Sequence, residues 1–148
     1  MLDAIARSLS HWEWFGQLLA RTSVGLAFFL SGRGKLFVAA RRDEMRETIR
    51  QAGLPRPELS APALSSIEFI LGAMLCLGLF TPLSCVMLTG VMLGALATTH
   101  LPRVNAASVV DWLGEVLYLP EVLYVVILVW LLFAGPGWLS LDRLLLSG

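Results

Sequence analysis

The sequence predicts an all-α protein, an integral membrane four-helix bundle with short interfacial helices. Hydrophobic residues make up 57% of the 148 residues and charged residues only 15%, whereas soluble domains contain about 25% charged residues. Mean hydropathy is +0.75, so much of the outer surface must face lipid. The length is that of one domain. We therefore expect a single transmembrane domain over residues 1–148.

Four apolar runs separated by polar segments predict the membrane helices. They lie at about residues 15–38, 63–80, 83–100 and 116–134. A helix of about 20 residues crosses the hydrocarbon core of a bilayer. Pro62 is expected in the first turn of the second helix, and the fourth helix reaches this length only if it begins before Pro120. The motif Gly135-Pro136-Gly137 breaks helices and is expected to terminate the fourth one.

The connections between the runs set the order of the helices. Thr81-Pro82 joins the second and third runs, and so short a connection requires an antiparallel helical hairpin. Residues 39–61 and 101–119 form the two long polar connections. The first contains a predicted surface helix at 42–51, and the second an amphipathic segment suited to the membrane interface.

The distribution of Lys and Arg predicts the orientation. Four crossings place the N-terminus, the Thr81-Pro82 turn and the C-terminus on one face, which carries Arg7, Arg21 and Arg143. The other face carries the remaining basic residues: Arg33, Lys35, Arg41, Arg42, Arg46, Arg50, Arg56 and Arg103. Since Lys and Arg accumulate in cytoplasmic loops, we expect both long loops to be cytoplasmic. Zero net charge argues against a nucleic-acid partner.

Polar residues at the helix ends form a candidate site. Lys35 ends the first helix, Glu68 lies early in the second and His100 ends the third, so all three are expected near one membrane face, with Glu121 a possible fourth member. A carboxylate beside an imidazole can exchange protons with a quinone carbonyl, so the cluster is a candidate headgroup or proton site. In the structural alternative, Lys35 extends to lipid phosphates, Glu68 pairs with it, and His100 ends a helix.

Three further features have a functional and a structural interpretation. Arg21 and Asp142 are expected at the opposite face, as a structural ion pair or as ligands of a lipid or partner. Cys76 and Cys85 flank the hairpin turn at similar depth, as a redox pair or as small hydrophobes, which is the usual role of buried Cys. Gly90 and Gly94 form a small-xxx-small pair, which serves either packing within the bundle or a homo-oligomer. No Cys or His cluster suggests a metal site.

The order and spacing of several motifs resemble the DoxX family of small bacterial membrane proteins. The motifs are Arg21 with Ser31-Gly32-Arg33-Gly34-Lys35, Glu68-Phe69-Ile70-Leu71-Gly72, Gly78-Leu79-Phe80-Thr81-Pro82, Thr99-His100, and Gly135-Pro136-Gly137 with Ser140-Leu141-Asp142-Arg143. The resemblance implies a four-helix bundle in the bacterial inner (cytoplasmic) membrane. Pro82 departs from the family, which usually has a basic residue there.

The resemblance also implies an association with quinone-linked redox assemblies. We therefore expect an accessory membrane subunit of such an assembly, with no intrinsic cofactor and with a quinone or lipid headgroup near Lys35, Glu68 and His100. The expected partners are the lipid bilayer, redox subunits and a second copy of the chain. A stand-alone quinone-dependent oxidoreductase and a non-redox binding or maturation protein are the alternatives.

Overall fold

The computed structural model describes residues 12–106 and 108–146, and Arg7 lies outside this part of the chain. Every regular element within these residues is a helix, in agreement with the predicted all-α class. The α-helices are α1 (Glu13–Phe37), α2 (Ala39–Gln51), α3 (Pro57–Leu77), α4 (Thr81–Ala95), α5 (Val109–Leu117), α6 (Pro120–Ala134) and α7 (Leu141–Leu146). A π-helical turn and a 3-10 turn extend α4 to Arg103.

The lengths and hydropathies of these helices are those of a membrane protein. Two of them, α3 and α4 with its extension, are long and apolar enough to cross a bilayer. Two bent pairs raise the number of candidate spans to four: α1 with α2, bent by 97°, and α5 with α6, bent by 67°. The predicted all-α membrane fold is therefore confirmed.

The start of α3 differs from the prediction. The helix begins at Pro57 rather than at Ala63, and Pro62 lies within it. Proline is well suited to the first helical position because its fixed φ is already helical and it has no N–H to leave unpaired. Pro57 occupies that position, so Pro62 falls in the second turn, where it removes the hydrogen bond to the carbonyl of Glu58.

The start of the fourth long helix also differs from the prediction. A helix over 116–134 was expected, but Val116 belongs to α5 and α6 begins only at Pro120. The residue before a proline is driven out of the helical region, and Leu119 is accordingly extended, with φ −70° and ψ 128°. The chain therefore bends at this point, and α6 has 15 residues.

Glycines bring α1 and α3 into backbone contact along their length. A Cβ atom placed on Gly72 would lie 2.4 Å from the backbone nitrogen of Phe29, and one on Gly32 would lie 2.5 Å from that of Phe69. A Cβ atom on Gly25 would lie 2.7 Å from the backbone nitrogen of Cys76. Small residues allow such close approach between membrane helices, so α1 and α3 form one tightly packed pair.

The helices α4 and α6 form a second pair, and the apolar core lies mainly where the two pairs meet. Its buried members are Val24, Phe28, Leu75, Cys85, Leu88, Met92, Leu128 and Leu131. Cys85 is fully buried among them, and both it and Cys76 are free thiols. By contrast with α1 and α3, the helices α3 and α4 contact each other less extensively. The bundle is therefore two helix pairs rather than four equivalent helices.

Candidate functional site

Lys35 and Glu68 form an ion pair within the α1–α3 pair. The Lys35 ammonium donates to both carboxylate oxygens of Glu68, at 2.8 and 2.7 Å, and the hydroxyl of Ser31 donates to Oε2 at 3.0 Å. The Glu68 side chain is only 3% exposed, whereas that of Lys35 is 26% exposed. Lys35 and Ser31 are four residues apart and therefore lie on one face of α1. Glu68 is thus a buried carboxylate whose charge is compensated.

His100 and Glu121 form a second polar pair, between the end of the α4 extension and the first turn of α6. Nε2 of His100 lies 3.2 Å from Oε1 of Glu121. The other carboxylate oxygen, Oε2, is buried and has no hydrogen-bond partner among the described residues. A buried acceptor without a donor is costly. Glu121 therefore offers an unused acceptor beside an imidazole, which is a donor and acceptor arrangement suited to proton exchange.

The two polar pairs line a single cavity of about 1150 Å³. Lys35 and Glu68 approach it from the α1–α3 pair, and His100 and Glu121 from the α4–α6 pair. The predicted residues therefore share one cavity, although His100 contacts Glu121 rather than Glu68. Each helix pair contributes its own polar pair to that cavity, and we call the part lined by His100 and Glu121 its polar end.

The surface helix α2 covers this end of the cavity. Its Met45 and Ile49, four residues apart, both line the cavity, and Ile49 is buried. Arg41 also lines it and lies against Gly34, where an added Cβ would be 2.9 Å from the guanidinium Nη1. Gly34 thus leaves space for Arg41 beside Lys35. Sequence reasoning missed Arg41, because its position depends on the 97° bend between α1 and α2.

The polar end of the cavity lies at the end of the bundle where the two long connections meet. Arg103 donates a hydrogen bond to the side chain of Gln51 at 3.0 Å, so the ends of both connections are in contact. Arg46 and Glu58 form a further ion pair at 3.2 Å, which joins α2 to the first turn of α3. The polar cluster is therefore surrounded by interfacial segments rather than by the middle of the bundle.

Arg21 lies at the opposite end, where it binds backbone carbonyls. It is buried, and its guanidinium donates to the carbonyl oxygens of Pro136 and Leu139. Gln17, one turn earlier, donates to the carbonyl of Gly135 at 2.7 Å. Gly135 and Gly137 have positive φ values of 80° and 78°, which glycine adopts readily. The Gly135-Pro136-Gly137 motif therefore ends α6 and presents carbonyls to α1.

Asp142 caps the α3–α4 hairpin instead of forming a direct salt bridge with Arg21. Its carboxylate accepts hydrogen bonds from the backbone N–H groups of Phe80 and Thr81, at 2.6 and 2.7 Å. Its own N–H donates to the carbonyl of Gly78 at 2.9 Å. Arg21 and Asp142 still interact electrostatically. Both side chains stabilise the same junction by binding backbone groups, Arg21 through carbonyls and Asp142 through N–H groups. Buried backbone groups of this kind need hydrogen-bond partners.

Among the described residues, no group of three or more His, Cys, Asp and Glu side chains has the arrangement of a metal site. The His100–Glu121 pair contains two such groups, and the nearby Glu68 is already bound by Lys35 and Ser31. Away from these polar pairs, the cavity is lined mainly by apolar side chains. Its chemistry therefore suits a molecule with a small polar part and a larger apolar part.

Comparison with known proteins identifies the family. No curated protein and no solved structure shows significant similarity to the chain. The family model described as DoxX, however, matches residues 16–101. This range covers α1 to α4 with the π-helical turn, and it includes Lys35, Glu68 and His100. The match extends over more than half of the chain, which therefore belongs to the DoxX family.

Proposed function

We propose that this protein is an accessory subunit of a quinone-linked redox assembly in the bacterial inner membrane, and that it holds a quinone headgroup in the cavity between its two helix pairs. The observation that carries this proposal is the placement of the two polar pairs. Lys35–Glu68 and His100–Glu121 come from different helix pairs and line one cavity.

The donors and acceptors of the cavity fit a quinone headgroup. A quinone carbonyl accepts hydrogen bonds, which the Lys35 ammonium and the His100 ring can donate. The reduced form carries hydroxyl groups, for which the unpartnered Oε2 of Glu121 is an acceptor. When bound, a quinone supplies two-electron, two-proton chemistry. In this proposal His100 and Glu121 hold and release the protons, because an imidazole beside a carboxylate can act as a general acid and base.

The accessory role concerns the path of the electrons. In this proposal they pass between the bound quinone and a cofactor of a partner protein. In the same proposal the basic connections 39–61 and 101–119 face the cytoplasm, in accordance with their Arg and Lys content.

The test is a native mass spectrum of the tagged protein, purified from its own membranes in mild detergent. We expect further polypeptides in the complex, and a quinone in roughly stoichiometric amount in its lipid extract. A protein isolated alone and without quinone would contradict the proposal. A homo-oligomer that carries quinone would favour a stand-alone oxidoreductase instead.

Two variants then connect the quinone to the cavity. Glu68→Gln and His100→Ala should reduce the quinone content, while expression and thermal stability remain close to those of the wild type. Glu13→Gln is the matched control, because Glu13 is an exposed carboxylate in the first turn of α1, at the other end of the bundle. If the Glu68 and His100 variants fail to accumulate, or retain their quinone, the polar cluster is structural.

A further inference from the structure

The cavity extends from its polar end far along α4. Its lining on this helix runs from Val86 to His100. The fourteen steps from Val86 to His100 correspond to about 21 Å of helix, which is most of the roughly 30 Å thickness of the hydrocarbon core. On α3, Ala63, Leu64 and Ile67 line the facing wall. The cavity is therefore much longer than a headgroup, and the lining of its far part, along α4 from Val86 to Ala95, is apolar.

Two glycines on α4 keep this far part open. A Cβ added to Gly90 or to Gly94 would meet no atom within 4 Å, and both residues line the cavity. This contrasts with Gly72 on α3, where an added Cβ would collide with backbone at 2.4 Å. Glycine is unfavourable inside a helix by about 1 kcal/mol relative to alanine. Close helix packing explains Gly72, whereas Gly90 and Gly94 are exposed and border the open side of the cavity.

The far part of the cavity is also open at the side. Val86 and Met87 line the cavity and are nevertheless 54% and 43% exposed. Both lie in the first two turns of α4, next to the hairpin turn and far from the polar end. At this depth the exposed surface of a membrane helix faces lipid. A molecule in the bilayer therefore reaches the cavity laterally, without passing through water.

We propose that this cavity binds a long-chain membrane amphiphile, with its apolar chain along Gly90 and Gly94 and a hydroxyl of its head donating to Oε2 of Glu121. This inference rests on the site of the proposed function but not on the ligand being a quinone. A hydroquinone with an isoprenoid chain and a lipid with a hydroxylated head share the required chemistry. The ligand class is therefore defined by a chain and a hydrogen-bond donor.

Filling the chain subsite separates chain binding from folding. Gly90→Leu and Gly94→Leu place side chains in the open part of the cavity, and they also raise helix propensity. We expect thermal stability to be unchanged or higher, while the amount of amphiphile retained through purification falls at least about tenfold, equivalent to about 1.4 kcal/mol. Gly16→Leu is the control, since Gly16 also has open space but lies outside the cavity.

The outcomes distinguish this inference from the proposed function. If the retained molecule is a phospholipid and the leucine variants lose it, the chain subsite stands and the quinone proposal fails. If the retained molecule is a quinone and the leucine variants keep it in full, the chain subsite is wrong and the quinone proposal stands. Retention that falls equally in Gly16→Leu would also overturn the chain subsite.

A protein that is purified empty is tested with a photoreactive probe. The probe is a decyl hydroquinone with a diazirine in the chain, added to nanodiscs of phosphatidylcholine, whose head has no hydroxyl or N–H donor. We expect labelling of residues 86–95 in the wild type and in Gly16→Leu, and strong reduction in Gly90→Leu and Gly94→Leu. The dimethyl ether of the probe, which has no hydroxyl donor, should label these residues weakly. Equal labelling by all proteins, or by both probes, would overturn the inference.

Discussion

The Asp142 carboxylate holds the backbone N–H of Phe80 at 2.6 Å, across 62 positions of the sequence. Phe80 has a φ of +48°, a left-handed conformation that is unfavourable for a bulky side chain. It also stands at the N-cap position of α4 but offers no side-chain acceptor there. Asp142 therefore supplies from a distant segment the cap that a local Ser or Asp provides in most helices.

Removing this cap should destabilise the hairpin. Asp142→Ala leaves the N–H groups of Phe80 and Thr81 without an acceptor, and we expect a loss of about 2 kcal/mol, since hydrogen bonds to charged groups are worth about 1.5–3 kcal/mol. Phe80→Gly removes the cost of the left-handed conformation and should recover about 1 kcal/mol of that loss. Thermal unfolding in detergent measures both effects. An unchanged melting temperature in Asp142→Ala would contradict this account.

The two partners of the Lys35–Glu68 ion pair should respond differently to substitution. Lys35→Met leaves a buried carboxylate without its cation, and breaking a buried pair in this way costs about 3–5 kcal/mol. Glu68→Gln should cost less, because the Lys35 side chain is partly exposed and can extend to the membrane surface. Melting temperatures of the two single variants check this order. The reverse order would show that Lys35, and not Glu68, is the buried charge.

The double variant Lys35→Met/Glu68→Met provides the control for that comparison. It removes both charges together, and a pair replaced by apolar residues of similar volume is often neutral in stability. We therefore expect it to be more stable than Lys35→Met alone. A double variant less stable than both single variants would indicate that the charges support the fold through contacts other than each other.

Two glycines that look alike in the sequence should respond oppositely to alanine. Gly72→Ala forces a Cβ against the backbone of α1 and should destabilise the bundle by about 1–3 kcal/mol, as overpacking does. Gly90→Ala has open space and should stabilise α4 by up to about 1 kcal/mol. Melting temperatures of both variants under the same detergent conditions give the comparison. Destabilisation by Gly90→Ala would show that a protein side chain packs against Gly90, contrary to the open surface in the structure.

The orientation of the chain is checked with a reporter on its C-terminus. Since the basic residues concentrate in 39–61 and 101–119, we expect both connections in the cytoplasm and the C-terminus on the outer side. A C-terminal alkaline phosphatase fusion should then be active, and a fluorescent-protein fusion should be dark. Fluorescence of the second fusion would reverse the orientation without changing the fold.

The sequence predicts depth along the helices, but it does not predict rotation about the helix axes. Counting residues from the helix ends is enough to expect Lys35, Glu68 and His100 near one membrane face. It does not specify which neighbours meet, and His100 contacts Glu121 in the structure. The direction in which a side chain points around its helix axis depends on how the helices pack. A count of residues gives no information about that packing.

The close packing of the glycines on α1 and α3 could have been predicted from their spacing in the sequence. Gly25 and Gly32 are seven residues apart on α1, as Ser65 and Gly72 are on α3, so each helix carries a stripe of small residues along one face. The small-xxx-small pair on α4, Gly90 and Gly94, predicts a packed face there instead. Spacing identifies a face with small residues, but it does not tell a packed face from an open one.

The partners of Arg21 and Asp142 could not be read from the sequence, because both bind backbone groups. Carbonyl and N–H groups are the same at every residue and become acceptors or donors only where a helix ends. Gly135, Pro136 and Gly137 do indicate such an end. The carbonyls of this motif are therefore expected acceptors for a buried arginine in a membrane helix.

The junction of Arg21, Asp142 and the α3–α4 turn has a consequence for how the protein is made. Residues 136–142 leave the ribosome after every other segment of this junction, including α1. Until they emerge, the N–H groups of Phe80 and Thr81 and the guanidinium of Arg21 lack these partners. Assembly of this junction is therefore completed only when residues 136–142 join α1 to the α3–α4 hairpin, and a nascent chain released before Asp142 has inserted helices whose bundle is not yet closed.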